Sequence, residues 1–321
     1  MINSLPYSLS GKRVWVCGHN GMVGSAIVRR LQNEENVDIL TTERTEVDLV
    51  DQASVQTWVS QNKPDAIFLA AAKVGGIHAN NRFPADFIYL NTMIAANVIQ
   101  VAYENAVEKL LFLGSSCIYP KMATQPIKEN SLLTGPLEPT NQWYAIAKIS
   151  GIMTAQAYRA QYGCDFISAM PTNLYGPNDN FHMENSHVIP AIIQKVHNAK
   201  INNEPTIEIW GTGKIYREFM HADDCADGLV FLMKHYSQDE HINVGAGDDV
   251  SILELTETIM KVVGYEGEII HDLTKPDGPP KKMMDNSKLS NMGWSPQYRL
   301  EEGLRHAYQW FLENVEDLRK S

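Results

Sequence analysis

A tyrosine and a lysine stand four residues apart in the segment Tyr144–Lys148, which reads YAIAK. On a helix this spacing places both side chains on one face, one turn apart. A lysine ammonium beside a phenol favours the phenolate and lowers its pKa, which would make Tyr144 an acid or base near neutral pH. Such pairs also occur by chance, so an ordinary pair on a helix surface remains the alternative.

Three further side chains have the chemistry to polarise a carbonyl group or to exchange protons. Ser115 follows Gly114 in a short turn, where its hydroxyl would polarise a ketone for hydride transfer. Cys117 lies two residues beyond Ser115, and His187 lies much further along the chain. The usual pKa values of a thiol and an imidazole, about 8.5 and 6.5, allow proton exchange near pH 7. The sequence equally allows a buried, inert Cys117 and a His187 that only begins a helix.

A glycine-rich turn near the N-terminus indicates a nucleotide cofactor. The segment Gly18–Gly24 reads GHNGMVG, a GxxGxxG spacing that follows an apolar run and precedes a helical pattern. In the dinucleotide fingerprint the first glycine permits the tight turn, the second the approach of a pyrophosphate and the third helix packing. The helix N-terminus then offers backbone N–H groups and a positive dipole to the phosphates. A structural turn in a domain that binds another ligand is the alternative.

The end of the second predicted strand bears on the choice between NAD and NADP. The segment Thr41–Arg44 reads TTER. Glu43 would hydrogen-bond an adenosine ribose and repel a 2′-phosphate, whereas Arg44 would pair with that phosphate. The sequence therefore leans toward NADP through Arg44, with a solvated surface pair as the alternative.

Short apolar runs alternate with helical patterns, and these elements must position the residues above. The alternation predicts an α/β fold with a Rossmann-type doubly wound parallel sheet. Since parallel strands end at a common edge, we expect the glycine turn, Ser115 and Tyr144 to converge there, beside the nicotinamide. The predicted strands are Lys12–Cys17, Val37–Thr41, Ala66–Ala71, Lys109–Leu113 and Asp165–Met170, and the predicted helices include Ser25–Asn33, Ala53–Gln61, Phe87–Asn105 and Trp143–Tyr162.

The pattern loosens in the second half of the chain, which suggests a second, smaller unit. We expect residues 1–175 to form an NADP-binding Rossmann domain, with some later segments returning to it. Residues 176–321 are expected to form mainly an α/β substrate domain. The Pro/Gly-rich stretch Lys275–Lys282 is expected to be a loop.

Composition excludes several classes of protein. The 321 residues are 44% hydrophobic and 20% charged, which rules out a mostly disordered chain, and the net charge of −11 argues against a nucleic-acid partner. The four cysteines form no CxxC pair, so we expect no metal site and reduced thiols in a cytoplasm. The N-terminus lacks a signal pattern, and no stretch approaches the roughly 18 apolar residues of a membrane span.

Several strings in order resemble the extended short-chain dehydrogenase/reductase superfamily and, within its sugar-nucleotide branch, the GDP-L-fucose synthase family. The resemblance runs from about Lys12 to Phe311, nearly the whole chain. The strings are Gly18–Gly24 (GHNGMVG), Ala72–Asn80 (AKVGGIHAN), Gly114–Pro120 (GSSCIYP), Tyr144–Lys148 (YAIAK), Pro171–Pro177 (PTNLYGP), Ser186–Pro190 (SHVIP) and Arg217–Asp224 (REFMHADD).

This resemblance implies a cytoplasmic homodimer that uses NADPH to convert GDP-4-keto-6-deoxy-D-mannose to GDP-L-fucose by 3,5-epimerisation and 4-reduction. The two long helices would pack as a four-helix bundle in the dimer. The implied catalytic residues are Ser115, Cys117, Tyr144, Lys148 and His187, with Cys117 and His187 as the epimerisation pair in either order of base and acid.

The resemblance also implies two sets of binding residues. Arg217 is expected at the GDP pyrophosphate, because its planar guanidinium matches phosphate oxygens. The substrate-binding set is Lys195, Trp210, Arg217 and Asp285. The cofactor-binding set is Gly18, His19, Asn20, Gly21, Met22, Val23, Gly24, Arg44, Leu113, Gly114, Ser116, Lys148, Pro171, Thr172, Asn173, Leu174 and His187.

Departures from the family pattern leave alternatives open. Asn20 stands where relatives often have an arginine for a 2′-phosphate, and Gln142–Trp143 replaces a common Glu-Pro. A reductase or epimerase/reductase of another GDP-4-keto-deoxy sugar, as in the colitose or deoxyheptose pathways, is the main alternative activity. A sugar-nucleotide dehydratase is disfavoured because Cys117 stands near the tyrosine where an acidic residue is expected. An NADP-sensing regulator is disfavoured because Ser115 and the Tyr144–Lys148 pair are intact.

Overall fold

The computed structural model describes residues 6–181, 186–275 and 277–318. Of the segments discussed above, residues 1–5 at the N-terminus and residue 276 in the Pro/Gly-rich stretch lie outside this part of the chain.

Strands and helices alternate through the first half of the chain, as the sequence predicts. The strands are β1 (Arg13–Cys17), β2 (Asp38–Leu40), β3 (Ala66–Leu69), β4 (Lys109–Leu113), β5 (Asp165–Pro171), β6 (Asn173–Tyr175), β7 (Thr206–Trp210), β8 (Tyr216–Arg217), β9 (Phe219–His221), β10 (Ile242–Val244), β11 (Val250–Ser251), β12 (Glu268–Asp272) and β13 (Lys281–Lys282). The helices are α1 (Met22–Leu31), α2 (Gln52–Asn62), α3 (Ile77–Arg82), α4 (Pro84–Glu104), α5 (Gln142–Tyr162), α6 (Val188–Asn202), α7 (Ala222–His235), α8 (Ile252–Val263), α9 (Ser287–Asn291) and α10 (Leu300–Leu318).

A central sheet of parallel strands carries the fold. Its six strands run in the order β10-β5-β4-β3-β1-β2. The chain steps from β1 to β2 on one side and then to β3 on the other, so the crevice at the switch point opens at the carboxyl ends of β1 and β3. The predicted doubly wound Rossmann-type sheet is confirmed.

Helices cover both faces of this sheet, which is why its strands are unbroken apolar runs. On one face α1 packs against α7, with Ile27 and Leu229 fully buried in a common core. On the other face α4 packs against both α2 and α5, and Val98 and Ile152 lie in a second core.

A third core lies in the second half of the chain. It joins α6, α8 and α10 around Val196, Leu255 and Phe311, beside the parallel pair β7 and β12. The strand β10 nevertheless returns to the central sheet and pairs with β5. The division at residue 175 into two domains stays a prediction.

Helix α4 is the most apolar of the long helices. It has 21 residues and a mean hydropathy of 1.2 over its best window, so by length and composition it qualifies as a candidate membrane span. The sequence prediction that no stretch approaches a span was therefore too strong. In this structure 44% of that segment is buried, and Phe87, Val98 and Val101 pack into the protein core.

The predicted loop Lys275–Lys282 is wrong at its C-terminal end. Lys281 and Lys282 form β13, which pairs in parallel with β8 at Tyr216 and Arg217. No sequence pattern predicts this strand, because it is two residues long and consists of two lysines. The strand forms because it pairs with β8, since neither strand has an apolar alternation of its own.

Candidate active site

The glycine turn lies at the carboxyl end of β1 and leads directly into α1. Gly18 has φ of +85°, a conformation that favours glycine, and a Cβ there would lie 2.9 Å from the Cα of Ala71. A Cβ on Gly24 would overlap the carbonyl oxygen of Gly18. Gly21 is the N-cap of α1 and provides no side-chain cap, so the first N–H groups of the helix are free to meet an anion.

Two charged residues follow β2 close to this turn. The side-chain amide of Asn20 donates to both Glu43 carboxylate oxygens, at 3.1 and 2.9 Å, and His19 Nε2 lies 3.4 Å from Glu43 Oε1. Arg44 is exposed, and within the described ranges no carboxylate lies within ion-pair distance of it. Glu43 is therefore occupied by the turn, whereas Arg44 is available to a phosphate.

Ser115, at the end of β4, stands at the centre of the predicted catalytic group. Its Oγ accepts a hydrogen bond from the Cys117 backbone N–H at 3.4 Å and caps the short 3-10 helix Ser116–Ile118. The Ser115 hydroxyl is also a hydrogen-bond partner of the Tyr144 phenol and of the Cys117 thiol. Gly114 precedes it because a Cβ there would overlap the sulfur of Met170. One hydroxyl thus brings Cys117 and Tyr144 together.

Lys148 is buried one turn along α5 from Tyr144. Its Nζ donates a hydrogen bond to the carbonyl oxygen of Leu113 at 2.7 Å and lies 5.7 Å from the centroid of the Tyr144 ring. Burial lowers the pKa of Lys148 to about 8, and the nearby Cys117 opposes that shift. The lysine is held in place by the end of β4, so Lys148 is part of the same cluster.

The direction of the Tyr144 pKa shift is opposite to the one predicted from the sequence. Burial raises the pKa of Tyr144 well above its usual value, Cys117 raises it further, and only the hydrogen bond with Ser115 lowers it. Desolvation of the phenolate outweighs the lysine one turn away. A phenol with a raised pKa is suited to keep its proton until it can donate it.

The pKa of Cys117 likewise depends on opposing effects. Burial raises the pKa of its thiol, whereas Lys282, the Ser115 hydroxyl and Lys148 lower it, in that order of strength. The side chain is only 8% exposed, so the thiol is removed from bulk water. Its sulfur is therefore under the direct influence of two lysines.

In the part of the chain that the structure describes, His187 is not hydrogen-bonded to the other predicted catalytic residues. It is the N-cap of α6, forms no side-chain capping bond and retains contact with solvent. Neighbouring atoms that displace water from the ring lower its pKa below the usual value. Among the described residues no hydrogen bond joins His187 to Ser115, Cys117, Tyr144 or Lys148.

The segment after β5 forms the wall on the far side of the predicted cofactor site. Thr172 donates through its backbone N–H to the Val244 carbonyl at 3.1 Å, and Asn173 Nδ2 donates to the Glu218 carbonyl at 2.9 Å. These bonds join the segment after β5 to the strand β10 and to Glu218, the residue before β9. Pro171 ends β5 and Leu174 lies in β6, so the predicted residues of this stretch are contiguous with the sheet edge.

The four predicted substrate residues lie in separate settings. Lys195 is exposed on α6 and donates to the Glu208 carbonyl oxygen. Trp210 is 66% exposed, with the Lys275 ammonium 5.4 Å from its ring centroid. Asp285 accepts hydrogen bonds from the Ser287 backbone and hydroxyl at the start of α9.

Arg217, the fourth member of that set, is half-buried. Its Nη1 donates to the carbonyl oxygens of Tyr216, at 2.7 Å, and Pro279, at 2.8 Å. A Cβ on Gly278 would lie 2.8 Å from Arg217 Nη2, so the loop wraps closely around the guanidinium. Burial lowers the pKa of Arg217, and in the part of the chain that the structure describes no carboxylate forms an ion pair with it.

Sequence reasoning missed one charged residue at this site and one buried anchor. Lys282 faces the Cys117 thiol and lies beside Arg217 in the sheet register. Glu218 is fully buried and accepts hydrogen bonds from the backbone N–H groups of Gly247 and Met284, each at 3.0 Å. The position of Glu218 between Arg217 and an apolar run was the one available signal, whereas Lys282 gave none.

Both the fold and the order of these residues define a class of protein. The chain matches the sequence profile of the NAD dependent epimerase/dehydratase family over residues 14–245 and belongs to that family. The protein named GDP-L-fucose synthase 1 of Arabidopsis thaliana is 57% identical over 316 residues, covering 98% of both chains. A GDP-L-fucose synthase of Escherichia coli strain K12 is 50% identical over 320 residues, covering 97% of this chain and all of the relative.

A solved structure shows the same similarity in three dimensions. The crystal structure of a GDP-L-fucose synthetase from Naegleria fowleri bound to NADP superposes with a TM-score of 0.91 at 28% identity. The alignment covers 98% of this chain and 99% of that one. The similarity therefore extends over both halves of the molecule.

Proposed function

We propose that this protein is an NADPH-dependent enzyme that converts GDP-4-keto-6-deoxy-D-mannose to GDP-L-fucose by 3,5-epimerisation followed by 4-reduction. The observation that carries the proposal is that one hydroxyl, that of Ser115, lies beside both a phenol, Tyr144, and a thiol, Cys117, and lowers the pKa of each. A simple reductase needs the serine, the tyrosine and the lysine, whereas epimerisation needs a further acid and base. Full-length similarity to proteins named GDP-L-fucose synthase supports the same activity.

NADP(H) fits the edge of the sheet. The free N–H groups at the start of α1, behind the close packing of Gly18 and Gly24, suit a pyrophosphate, and exposed Arg44 suits a 2′-phosphate. The remaining cofactor residues are contiguous with the carboxyl ends of β4 and β5, next to Lys148. When bound there, NADPH supplies a hydride for the ketone.

Cys117 is the base of the epimerisation in this proposal. The 4-keto group acidifies the C–H bonds at C3 and C5, so one acid and one base serve both centres. The thiolate takes the proton from carbon, and the electron pair of the C–H bond moves to the carbonyl oxygen. Hydrogen bonds from Ser115 and Tyr144 then stabilise the resulting enolate.

His187 is the acid that returns a proton to the opposite face of the same carbon. Its lowered pKa makes the imidazolium a ready donor, and its place at the start of α6 leaves it open to solvent for reprotonation. Cys117 loses the captured proton to water between the two epimerisations. The reverse assignment, with His187 as base, is decided by the experiments below.

Tyr144 donates the proton to the C4 oxygen during reduction. Its raised pKa keeps the phenol protonated until the developing alkoxide needs the proton. Lys148 lies beneath the ring and stabilises the phenolate that remains.

We place the GDP end of the substrate in the second half of the chain. Arg217 binds the pyrophosphate, because its guanidinium is half-buried and, among the described residues, pairs with backbone carbonyls and with no carboxylate. Lys195, Trp210 and Asp285 are the other contacts in this proposal. The proposed division of labour gives residues 1–175 mainly to the cofactor and residues 176–321 mainly to the GDP-sugar.

The protein is proposed to act as a cytoplasmic homodimer. Exposed apolar side chains lie on the two long helices: Tyr89 on α4 is 59% exposed, and Ile146 and Met153 on α5 are 40% and 38% exposed. Ile146 and Met153 are seven residues apart and share one face of α5. A second copy of the same pair of helices would cover them as a four-helix bundle.

The test is turnover of GDP-4-keto-6-deoxy-D-mannose with NADPH in heavy water, followed by NMR of the product. Deuterium at both C3 and C5 is the expected result, because each centre exchanges its proton with a solvent-equilibrated residue. Deuterium at one carbon or none would overturn the proposal in favour of a reductase of another GDP-4-keto-deoxy sugar.

A further inference from the structure

Lys282 lies on a segment that joins two parts of the candidate active site. Its strand β13 pairs with β8, and the Cα register places Lys282 opposite Arg217. The following residue, Met283, donates its N–H to Gln125 Oε1 and accepts from the Ile127 N–H, each at 2.8 Å. The segment is thus tied on one side to the arginine strand and on the other to the chain that follows Cys117.

The two neighbouring lysines of β13 have different surroundings. Met284 is buried in the same core as Ile118 and Tyr119, directly after Cys117. In an extended chain side chains alternate, so Lys282 lies on the face of Met284, toward the Cys117 turn. Lys281 lies on the other face, where its Nζ is 2.8 Å from Asp249 Oδ2.

The charges around Lys282 leave its ammonium without a close anionic partner other than the thiol. Cys117 is the strongest of the charged groups that raise its pKa, ahead of Glu138 and Glu218, while burial and Arg217 lower it. Glu138 is engaged with Lys121 at 3.0 Å, and Glu218 accepts from two backbone N–H groups. Within the described ranges no carboxylate forms an ion pair with Lys282.

The groups around Cys117 also point to Lys282. The groups that face its sulfur are Lys282, Ser115, Tyr144 and Lys148, and Lys282 is the strongest of those that stabilise the thiolate. Lys148 already donates a hydrogen bond to the Leu113 carbonyl oxygen. Lys282 is therefore the cation whose charge remains available to the sulfur.

We propose that Lys282 is a positioning residue for the epimerisation, whose ammonium stabilises the thiolate form of Cys117 and so favours removal of protons from the sugar by its sulfur. This inference rests on the proposed function, in which Cys117 is the base. Burial already raises the pKa of the Cys117 thiol, so removing the positive charge of Lys282 would raise it further and lower the thiolate fraction.

The direct test is the thiolate absorbance at 240 nm, measured as the difference between each protein and its matched Cys117→Ser variant across pH. Lys282→Met should move the titration midpoint of Cys117 upward by about one pH unit or more, which is a tenfold loss of thiolate at a given pH below the midpoint. Lys282→Arg should keep the wild-type midpoint. Lys281→Met, which removes the adjacent lysine on the other face, is the control and should also leave it unchanged. Lys282→Gln serves as a second neutral variant if Lys282→Met does not fold.

Kinetics separate this role from binding of the diphosphate next to Arg217. In Lys282→Met the rate constant of deuterium exchange at saturating substrate should fall about tenfold at pH 7 and recover at higher pH. Equal titration midpoints in wild type and Lys282→Met, with only KM raised, would overturn the proposal and make Lys282 a diphosphate ligand. If the wild-type enzyme exchanges no sugar protons, the proposed function fails, while the absorbance titration still decides whether Lys282 sets the ionisation of Cys117.

Discussion

The Nζ atom of Lys148 lies 5.7 Å from the centroid of the Tyr144 ring, one helical turn further along α5. The phenol is nevertheless harder to ionise than in water, because burial raises its pKa more than its hydrogen bond with Ser115 lowers it. This relationship fits the proposed role of Tyr144 as the proton donor in reduction and not as a phenolate base.

Tyr144→Phe should therefore abolish most of the reduction but only slow the epimerisation, because Ser115 still stabilises the enolate. Loss of the proton donor is expected to lower the rate of NADPH oxidation by a factor of about 100 or more. Exchange of the sugar protons in heavy water should continue, since Cys117 and Ser115 are unchanged. Unchanged NADPH turnover in this variant would remove Tyr144 from the proton-donor role.

Cys117→Ser should have the opposite effect. A serine hydroxyl is too weak an acid to ionise near neutral pH, so it cannot replace the thiolate as the base. Exchange at C3 and C5 should therefore fall by a factor of about 100 or more. Cys164→Ser, at a half-buried cysteine outside the cluster, is the matched control and should exchange like wild type. Normal exchange in Cys117→Ser would assign the base to another residue, with His187 next to be tested.

Arg44 should set the preference for NADPH over NADH. Arg44→Ala removes one arginine–phosphate pair. This loss is expected to raise the KM for NADPH about tenfold, while the KM for NADH should change little. Arg305→Ala, at an exposed arginine on α10, is the control. Equal loss for both cofactors would show that Arg44 acts on the fold and not on the 2′-phosphate.

The exposed face of α5 should control the oligomeric state. Met153→Glu places a charge in the proposed helix-bundle interface, so light scattering should show a shift from dimer toward monomer. Leu312→Glu, at a residue that is 45% exposed on α10, should leave the mass unchanged. A wild-type protein that is monomeric at micromolar concentration would contradict the bundle.

His241 should weaken the protein as pH falls. Asn243 donates its amide N–H groups to the Ile127 and Asp285 carbonyls, so its Oδ1 takes the Tyr119 proton and His241 Nε2 must donate to the Tyr119 oxygen, 3.0 Å away. Burial lowers the pKa of His241 to about 4, below the usual value of the unfolded chain. The unfolded state therefore binds the proton first, and stability is lost as pH falls from about 6.5 toward 4.

Urea unfolding at several pH values measures this effect. Between pH 7 and pH 5 the contribution of His241 to the loss is ~2 kcal/mol, and His241→Gln should reduce the total loss by that amount. A remaining slope is expected from His221, whose pKa burial also lowers to about 4. His271→Gln, at an exposed position, is the control. The same slope in His241→Gln and wild type would contradict the assignment.

The central sheet could be predicted from sequence because its strands are continuous apolar runs separated by amphipathic helices. The strand predicted at Lys109–Leu113 matches β4, and this placed Ser115 at the carboxyl edge. The helix predicted at Trp143–Tyr162 matches α5 to within one residue and placed Tyr144 and Lys148 on a common face.

What could not be predicted depends on contacts between distant segments. The pairs β6–β9 and β8–β13 involve strands of two or three residues, which have no periodicity of their own. Lys282 is brought near Cys117 by the β8–β13 pair, so no local sequence pattern predicts that the two residues are close. The sign of the Tyr144 pKa shift depends on burial, which the spacing of a tyrosine and a lysine does not reveal.

The most direct test of the account is a crystal structure of the protein with NADP and GDP-L-fucose bound. The account predicts that Cys117 Sγ and His187 lie on opposite faces of the hexose, each within about 4 Å of C3 or C5, as proton transfer requires. It also predicts the Tyr144 hydroxyl in hydrogen-bond contact with the oxygen on C4. A sulfur or an imidazole directed away from the sugar would contradict epimerisation by this pair and leave ketone reduction as the chemistry of the site.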